Sequence, residues 1–151
     1  MQSHLTIREA TTSDLPLLID LLKLCDLVTE GVLQGKSRYW VAESETKQII
    51  GITGLEFGQE SALLRSVGIH PDHQRRGIGS ALVKQALAAA ADSGFRCVYC
   101  LSTDAQTYWA RSGFQKVSVS EVVAALPDAP QIVHFDKIGW LPTEVAWRKD
   151  L

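Results

Sequence analysis

Leu5-Thr6-Ile7-Arg8 alternates apolar and polar side chains with the period of a strand. Thr12-Ser13-Asp14-Leu15-Pro16 then supplies an N-cap and a proline of the kind a first helical turn tolerates. Leu15, Leu18, Ile19 and Leu22 recur at helical spacing as far as about Cys25. Between Asp26 and Ser37 the period is lost and Gly31 and Gly35 intervene, so this stretch reads as a loop or a short second helix. Three strand patterns follow, Tyr39 to Glu43, Ile49 to Phe57 and Ala62 to Ile69, joined by turns short enough to force antiparallel pairing. From Gly79 to about Ser93 the apolar side chains Leu82, Val83, Ala86, Leu87 and Ala90 form one helical stripe, and Gly94 sits where a glycine stop belongs. Cys97 to Leu101 reads as a short strand, Ala105 to Arg111 as a helix closed by Gly113, and Gln115 to Val119 as another strand. Beyond Ser120, Pro127, Pro130 and Pro142 interrupt any long element, and only Glu144 to Arg148 has a strand pattern. An antiparallel meander that feeds a strand–helix–strand crossover predicts an α/β fold: a mixed, mostly antiparallel central sheet with helices on both faces.

Composition narrows the partners. The 151 residues are enough for one core and too few for two, so a single domain over 1–151 is expected. A net charge of −2 leaves no basic footprint for nucleic acid, and no apolar run approaches membrane-spanning length. The start, Met1 to Ile7, lacks the basic and apolar regions of a signal peptide, which points to the cytoplasm. The three cysteines, Cys25, Cys97 and Cys100, agree with a reducing compartment, and a strand carrying both Cys97 and Cys100 would turn them to opposite faces. His70 and His73 have no accompanying ligand pair, so they read as exposed loop histidines and no metal is expected.

The segment Gln74-Arg75-Arg76-Gly77-Ile78-Gly79-Ser80 stands between a strand and the start of the strongest helix, where free backbone N–H groups and the positive helix end attract an anion. Glycines at 77 and 79 let the backbone approach phosphate closely, and Arg75 and Arg76 add charge at the rim. The alternative is a tight turn with solvated arginines. A P-loop is excluded because no Lys-Ser or Lys-Thr follows Gly79, and a dinucleotide fingerprint would need glycine where Leu82 stands.

On Gln74, Gly77 and Gly79, the chain resembles the GCN5-related N-acetyltransferase (GNAT) superfamily, whose signature is Q/R-x-x-G-x-G/A. The resemblance implies the acyl-CoA N-acyltransferase fold, with acetyl-CoA as co-substrate and its pantetheine in a gap between Leu63 to Ile69 and Cys97 to Leu101. It implies pantetheine contacts through the backbone of Val67 and Ile69, with Gln74, Arg75, Arg76, Gly77, Ile78, Gly79 and Ser80 around the pyrophosphate and Thr103 beside the cofactor. The stretches Gly51 to Glu56, Ala62 to Val67 and Leu101-Ser102-Thr103-Asp104-Ala105 are further similar to arsenic-resistance acetyltransferases of the ArsN type and to N-acetylglutamate synthase-like domains. That likeness implies a small anionic amino acid as acceptor: glutamate, phosphinothricin or arsinothricin.

Acetyl transfer by direct attack requires a neutral amine, a polarised thioester and a leaving thiolate. By the resemblance, a bulge at Ser66 to Gly68 aims a backbone N–H at the thioester oxygen, Gly68 permitting the distortion, which makes Ser66 both a catalytic and a substrate-contact position. Arg65 is a cation within an apolar strand, suited to anchoring the substrate carboxylate; the competing reading pairs it with Glu56 or Glu60 across the hairpin. The family's tyrosine acid falls at Trp109, whose indole is no acid, leaving Tyr108 one residue out of register. Tyr108 is therefore either the acid or, with Trp109, part of the acyl-pocket wall. Glu56, Glu60 and Glu30 are candidate bases, with Glu56 preferred for its place near Arg65. Trp140 and Trp147 are expected at the far edge of the sheet or in a homodimer contact.

Overall fold

The computed structural model describes residues 5–103 and 106–151, with only the backbone at 106 and 107. Seven strands form one sheet: β1 (Thr6–Glu9), β2 (Ser37–Glu43), β3 (Ile49–Phe57), β4 (Ser61–Ile69), β5 (Cys97–Ser102), β6 (Gln115–Val117) and β7 (Val145–Asp150), in the order β1-β2-β3-β4-β5-β7-β6. Every neighbouring pair is antiparallel except β4 with β5. That one parallel contact requires a crossover, which α2 (Ile78–Asp92) supplies.

Alternating side chains divide the sheet between two layers. Trp40, Ala42, Leu64, Val98, Cys100 and Trp147 face α2, packing on Leu82, Val83, Ala86 and Ala90. α2 starts one residue earlier than its pattern, and Gly94 ends it with φ +86°, the left-handed conformation glycine adopts without penalty. Tyr39, Val41 and Ile52 face Leu18, Leu21 and Leu22 of α1 (Leu15–Leu24) on the other side. The helix is entered through Asp14, whose carboxylate accepts from the Thr11 backbone N–H and from both terminal nitrogens of Arg8. Those bonds, led by Arg8, hold the Asp14 carboxyl down at about 2. Cys97 and Cys100 do lie on opposite faces, each in a different apolar cluster. His70 and His73 are half-buried rather than exposed, and His70 Nδ1 accepts from the Asp72 backbone N–H.

The region after β6 differs from its sequence pattern. The expected strand to Val119 stops at Val117, and Ser118 caps a new helix, α4 (Val119–Ala125), by accepting from Glu121 N–H. Pro130 begins α5 (Pro130–Lys137) instead of breaking it, because N–H groups of the first turn have no intrahelical acceptor and the one proline lacks costs no helical bond. Val122, Leu126, Ile132 and Phe135 then cover Leu63, Tyr99 and Ala146 on the α1 side of the sheet. The helix expected over Ala105 to Arg111 is described from Gln106 and forms α3 (Gln106–Arg111); Ala105 lies outside the described residues, as does Asp104 of the Leu101-to-Ala105 stretch. Neither tryptophan closes the sheet edge: Trp147 lies on β7, inside the sheet, bonding Ser102 Oγ at 2.9 Å, and Trp140 packs on Phe135. No helix among the described residues is long and apolar enough to cross a membrane.

Candidate active site

β4 carries the central distortion. Gly54 pairs with Arg65 and Ile52 with Gly68, so Ser66 and Val67 oppose the single residue Thr53. This is a β-bulge, and Ser66 adopts φ +61° within it, a strained conformation costing roughly 1–2 kcal/mol. Gly68 is not the residue that permits the bulge: its φ is ordinary, and a Cβ there would meet Leu27 at 3.0 Å and Cys25 at 3.3 Å, so glycine serves close packing. β4 and β5 pair only from Ser61–Cys97 to Leu64–Cys100; beyond that point β4 runs on to Ile69 and β5 to Ser102 without pairing to each other. The two strands part where the bulge bends one of them. Ile69 turns its carbonyl to the open side, where it accepts from Gln74 Nε2 and Cys25 Sγ, each at 3.3 Å. Val67, two residues back on the same strand, lines the cleft beside the bulge.

At one end of this gap stands the glycine loop. Arg75 and Gly77 take φ of +65° and +77°, and Gly77 caps α2 with no side-chain hydrogen bond and no acidic residue in the first turn. The N–H groups of Ile78, Gly79 and Ser80 are thus left for an outside acceptor. A Cβ at Gly77 would meet nothing within 4 Å and one at Gly79 only Ile69, at 3.7 Å, so packing does not require glycine at 79. Arg75, Arg76 and Ser80 are exposed around this helix end, and Ile78 is buried beneath it.

The other end opens into a cleft of about 760 Å³. Its floor is Leu64 to Val67 of β4 and Cys100 to Ser102 of β5, continuing to exposed Thr103. One wall is the turn-rich segment after α1, including Asp26 and Glu30, which is the loop alternative of the sequence pattern. The opposite wall is Gln131, His134 and Phe135 of α5, with Trp140 and Glu144. Pocket residues on α5 and at Glu144 carry no signature in the sequence; the apolar spacing of Ile132 and Phe135 is the one local hint of the helix that presents them.

Arg65 and Glu56 require correction. Both side chains are 0% exposed, and Arg65 Nη1 meets Glu56 Oε2 at 2.8 Å. Arg65 Nε also donates to Ser66 Oγ and Nη2 to the Glu30 carbonyl, while Glu56 Oε1 accepts from the Gln131 backbone N–H at 2.9 Å. Arg65 therefore holds protein groups on three sides and does not reach out as a free anchor. Glu56 has both oxygens engaged and no access to a water beside an amine, so it is not placed as a base. Glu60 pairs loosely with Arg96 instead. Glu30 contributes its carbonyl to Arg65.

Tyr108 likewise departs from the acid's expected place. Its Oη lies 3.4 Å from Ser80 Oγ at the head of α2, away from the cleft. Trp109, 7% exposed, lines the cleft and packs edge-on against Tyr108 and Phe114. The pair shapes the pocket and the loop, without a proton donor at the strand gap.

This geometry has relatives. Among curated proteins the chain is similar to the amino-acid acetyltransferase of Pasteurella multocida, 28% identical over 139 residues that cover 85% of this chain and 30% of that protein. Among solved structures it resembles N-acetylglutamate synthase from Neisseria gonorrhoeae complexed with coenzyme A and N-acetyl-glutamate, with TM-score 0.75 at 17% identity over 100% of this chain and 36% of that one. A GNAT-family acetyltransferase from Staphylococcus aureus matches with TM-score 0.77 at 15% identity, covering 98% and 99%. At these identities the structural likenesses show the fold; the chain spans about a third of the length of the first two relatives. The sequence pattern of the acetyltransferase (GNAT) domain matches residues 35–116, more than half of the chain, from β2 through the glycine loop to β6. The chain belongs to the GNAT acetyltransferase domain family.

Proposed function

We propose that this chain folds as a single N-acetyltransferase domain, moving the acetyl group of acetyl-CoA to the amino group of a small anionic amino acid such as glutamate, phosphinothricin or arsinothricin. The observation that carries the reading is the bulged β4 parting from β5 directly beside the uncapped start of α2. Pantetheine extends the open side of β4 through the backbone of Val67 and Ile69. The pyrophosphate sits on the N–H groups of Ile78 to Ser80, with Gln74, Arg75, Arg76 and Gly77 around it and Thr103 flanking the thioester end. The amine nitrogen attacks the thioester carbon, the oxyanion meets a backbone N–H of the Ser66–Val67 bulge, and the C–S bond breaks to release the thiol. Support for the acceptor class comes from two relatives, the Pasteurella amino-acid acetyltransferase and the Neisseria synthase with its bound N-acetyl-glutamate.

The charge of the cleft favours a second reading. Arg65 is neutralised by Glu56, leaving Lys23 against Asp26, Glu30 and Glu144, a lining that suits a polyamine or a peptide N-terminus better than a dianion. Thiol release from acetyl-CoA, measured against glutamate, phosphinothricin, arsinothricin, a polyamine and a peptide N-terminus, separates the two. Turnover confined to the last two acceptors rejects the amino-acid reading, and CoA binding without thiol release on any amine rejects the enzyme.

A further inference from the structure

Glu144 has no role in the site as described so far. It stands between the Leu141–Thr143 turn and β7, and the register sets Val145 opposite Ser102, the last residue of β5. Glu144 is thus just past the paired end of β5, on the β7 side of the cleft, with the Ser66–Val67 bulge on the β4 side. Its Oε2 is buried and has no hydrogen-bonding partner among the described residues. Among the described residues the buried carboxylates Asp14 and Glu56 are spent on structure, Asp14 on Arg8 and Thr11 and Glu56 on Arg65 and Gln131. Glu144 lines the cleft, and no hydrogen bond or ion pair among the described residues engages its carboxylate, so the charge facing a space that must receive an ammonium group is left for a donor brought by the ligand.

The charged and titratable groups sharing the cleft are Lys23 of α1, Asp26 and Glu30 of the loop, Arg65 of β4, Cys100 of β5 and His134 of α5. Arg65 is engaged by Glu56, and burial pushes the Cys100 thiol far up, which keeps it neutral. Burial likewise raises the Glu144 carboxyl above the ordinary glutamate value, with no neighbouring charge among the causes. A carboxylate poised nearer neutrality is the better match for removing a proton from an amine.

We infer that Glu144, which lines the cleft with a half-buried side chain, is the proton acceptor of acetyl transfer, its carboxylate receiving the proton of the acceptor's ammonium group. The inference rests on the acetyl-transfer reading above. The ammonium gives one proton to the Glu144 carboxylate and becomes a neutral amine; the amine attacks the thioester carbon and the C–S bond breaks. The departing thiolate takes the remaining proton from the new amide nitrogen, and Glu144 returns its proton to solvent. The sum is amide, CoA thiol and one proton released.

The test compares kcat/KM of the wild-type chain, Glu144→Gln, Glu144→Asp and His134→Asn across pH, with CoA affinity by calorimetry alongside. Glu144→Gln is expected to lose on the order of 10²-fold or more at neutral pH. It should also lose the acid limb of the profile and recover toward wild-type at alkaline pH, where the amine is neutral unaided, with CoA affinity unchanged; Glu144→Asp should retain the limb. An unaltered acid limb in Glu144→Gln overturns the assignment, as does a loss that is uniform in pH and accompanied by weaker CoA binding, or a limb that disappears with His134→Asn instead. If the wild-type chain acetylates only a polyamine and the limb still depends on Glu144, the assignment stands and the amino-acid reading falls. Absence of turnover on every amine overturns both.

Discussion

The Arg65–Glu56 pair sets the strongest demand on the fold. Both side chains are wholly buried, so replacing Arg65 with methionine leaves a carboxylate in the core facing only the Gln131 N–H. Breaking one partner of such a pair costs about 3–5 kcal/mol, whereas replacing both by apolar side chains is close to neutral or favourable. For a domain of this length 1 kcal/mol moves Tm by roughly 2–4 °C, so Arg65→Met should melt roughly 6–20 °C lower. The double variant Arg65→Met with Glu56→Leu should recover most of that, giving a coupling on the order of 3 kcal/mol. Urea unfolding followed by the fluorescence of the buried Trp40, Trp109 and Trp147 measures all four corners of the cycle. If Arg65→Met unfolds within about 1 kcal/mol of wild-type while KM for the acceptor rises steeply, the pair is not a structural tie and Arg65 is a direct substrate anchor after all.

Three further outcomes are expected. Gly79→Ala adds a Cβ that touches only Ile69, so folding stability should hold or rise by up to about 1 kcal/mol while CoA affinity drops roughly tenfold, because the phosphate cradle is filled; calorimetry showing undiminished CoA binding would remove the cradle. Tyr108→Phe should leave kcat near wild-type, since its hydroxyl lies beside Ser80, and a loss on the order of 10²-fold would reinstate it as the acid. The Asp14 carboxyl is lowered to about 2 by Arg8, so its contribution to stability is complete above the unfolded value near ~3.9 and fades as pH falls toward about 2. The difference in urea midpoint between wild-type and Asp14→Asn should therefore shrink over that interval; a difference independent of pH contradicts the pairing.

The antiparallel meander, the crossover helix and the glycine loop were readable because their signals are local: a stripe at helical spacing, a glycine after its last turn, and alternation in three consecutive strands; the insertion of β7 between β5 and β6 has no such local signal. α4 and α5 escaped because Pro127 and Pro130 look like breakers, and only the start of a helix makes Pro130 a favourable first residue. Their apolar residues are held by Leu63, Tyr99 and Ala146, contacts far away in the chain. Arg65 was legible as a cation in the wrong environment, but choosing between Glu56 and Glu60 required the register across the hairpin, which sets Arg65 opposite Gly54, two residues from Glu56 on the same strand. Glu144 could not be found at all, since an isolated glutamate after a proline turn acquires its meaning from burial of one oxygen.

The bond from Gln131 to Glu56 has a consequence for how such a chain can be rebuilt. The segment that matches the family ends at 116, whereas the wall formed by α5, Trp140 and Glu144 lies wholly after it. A recombinant that keeps residues up to β6 and imports the following segment from another acetyltransferase would keep β4, the glycine loop and α2, and would exchange that wall together with β7, the strand between β5 and β6. The graft must supply a strand that pairs with both β5 and β6 and fills the place of Trp147, and its helix must present a backbone N–H to the carboxylate at 56, or the seam opens around an ion pair that water does not reach.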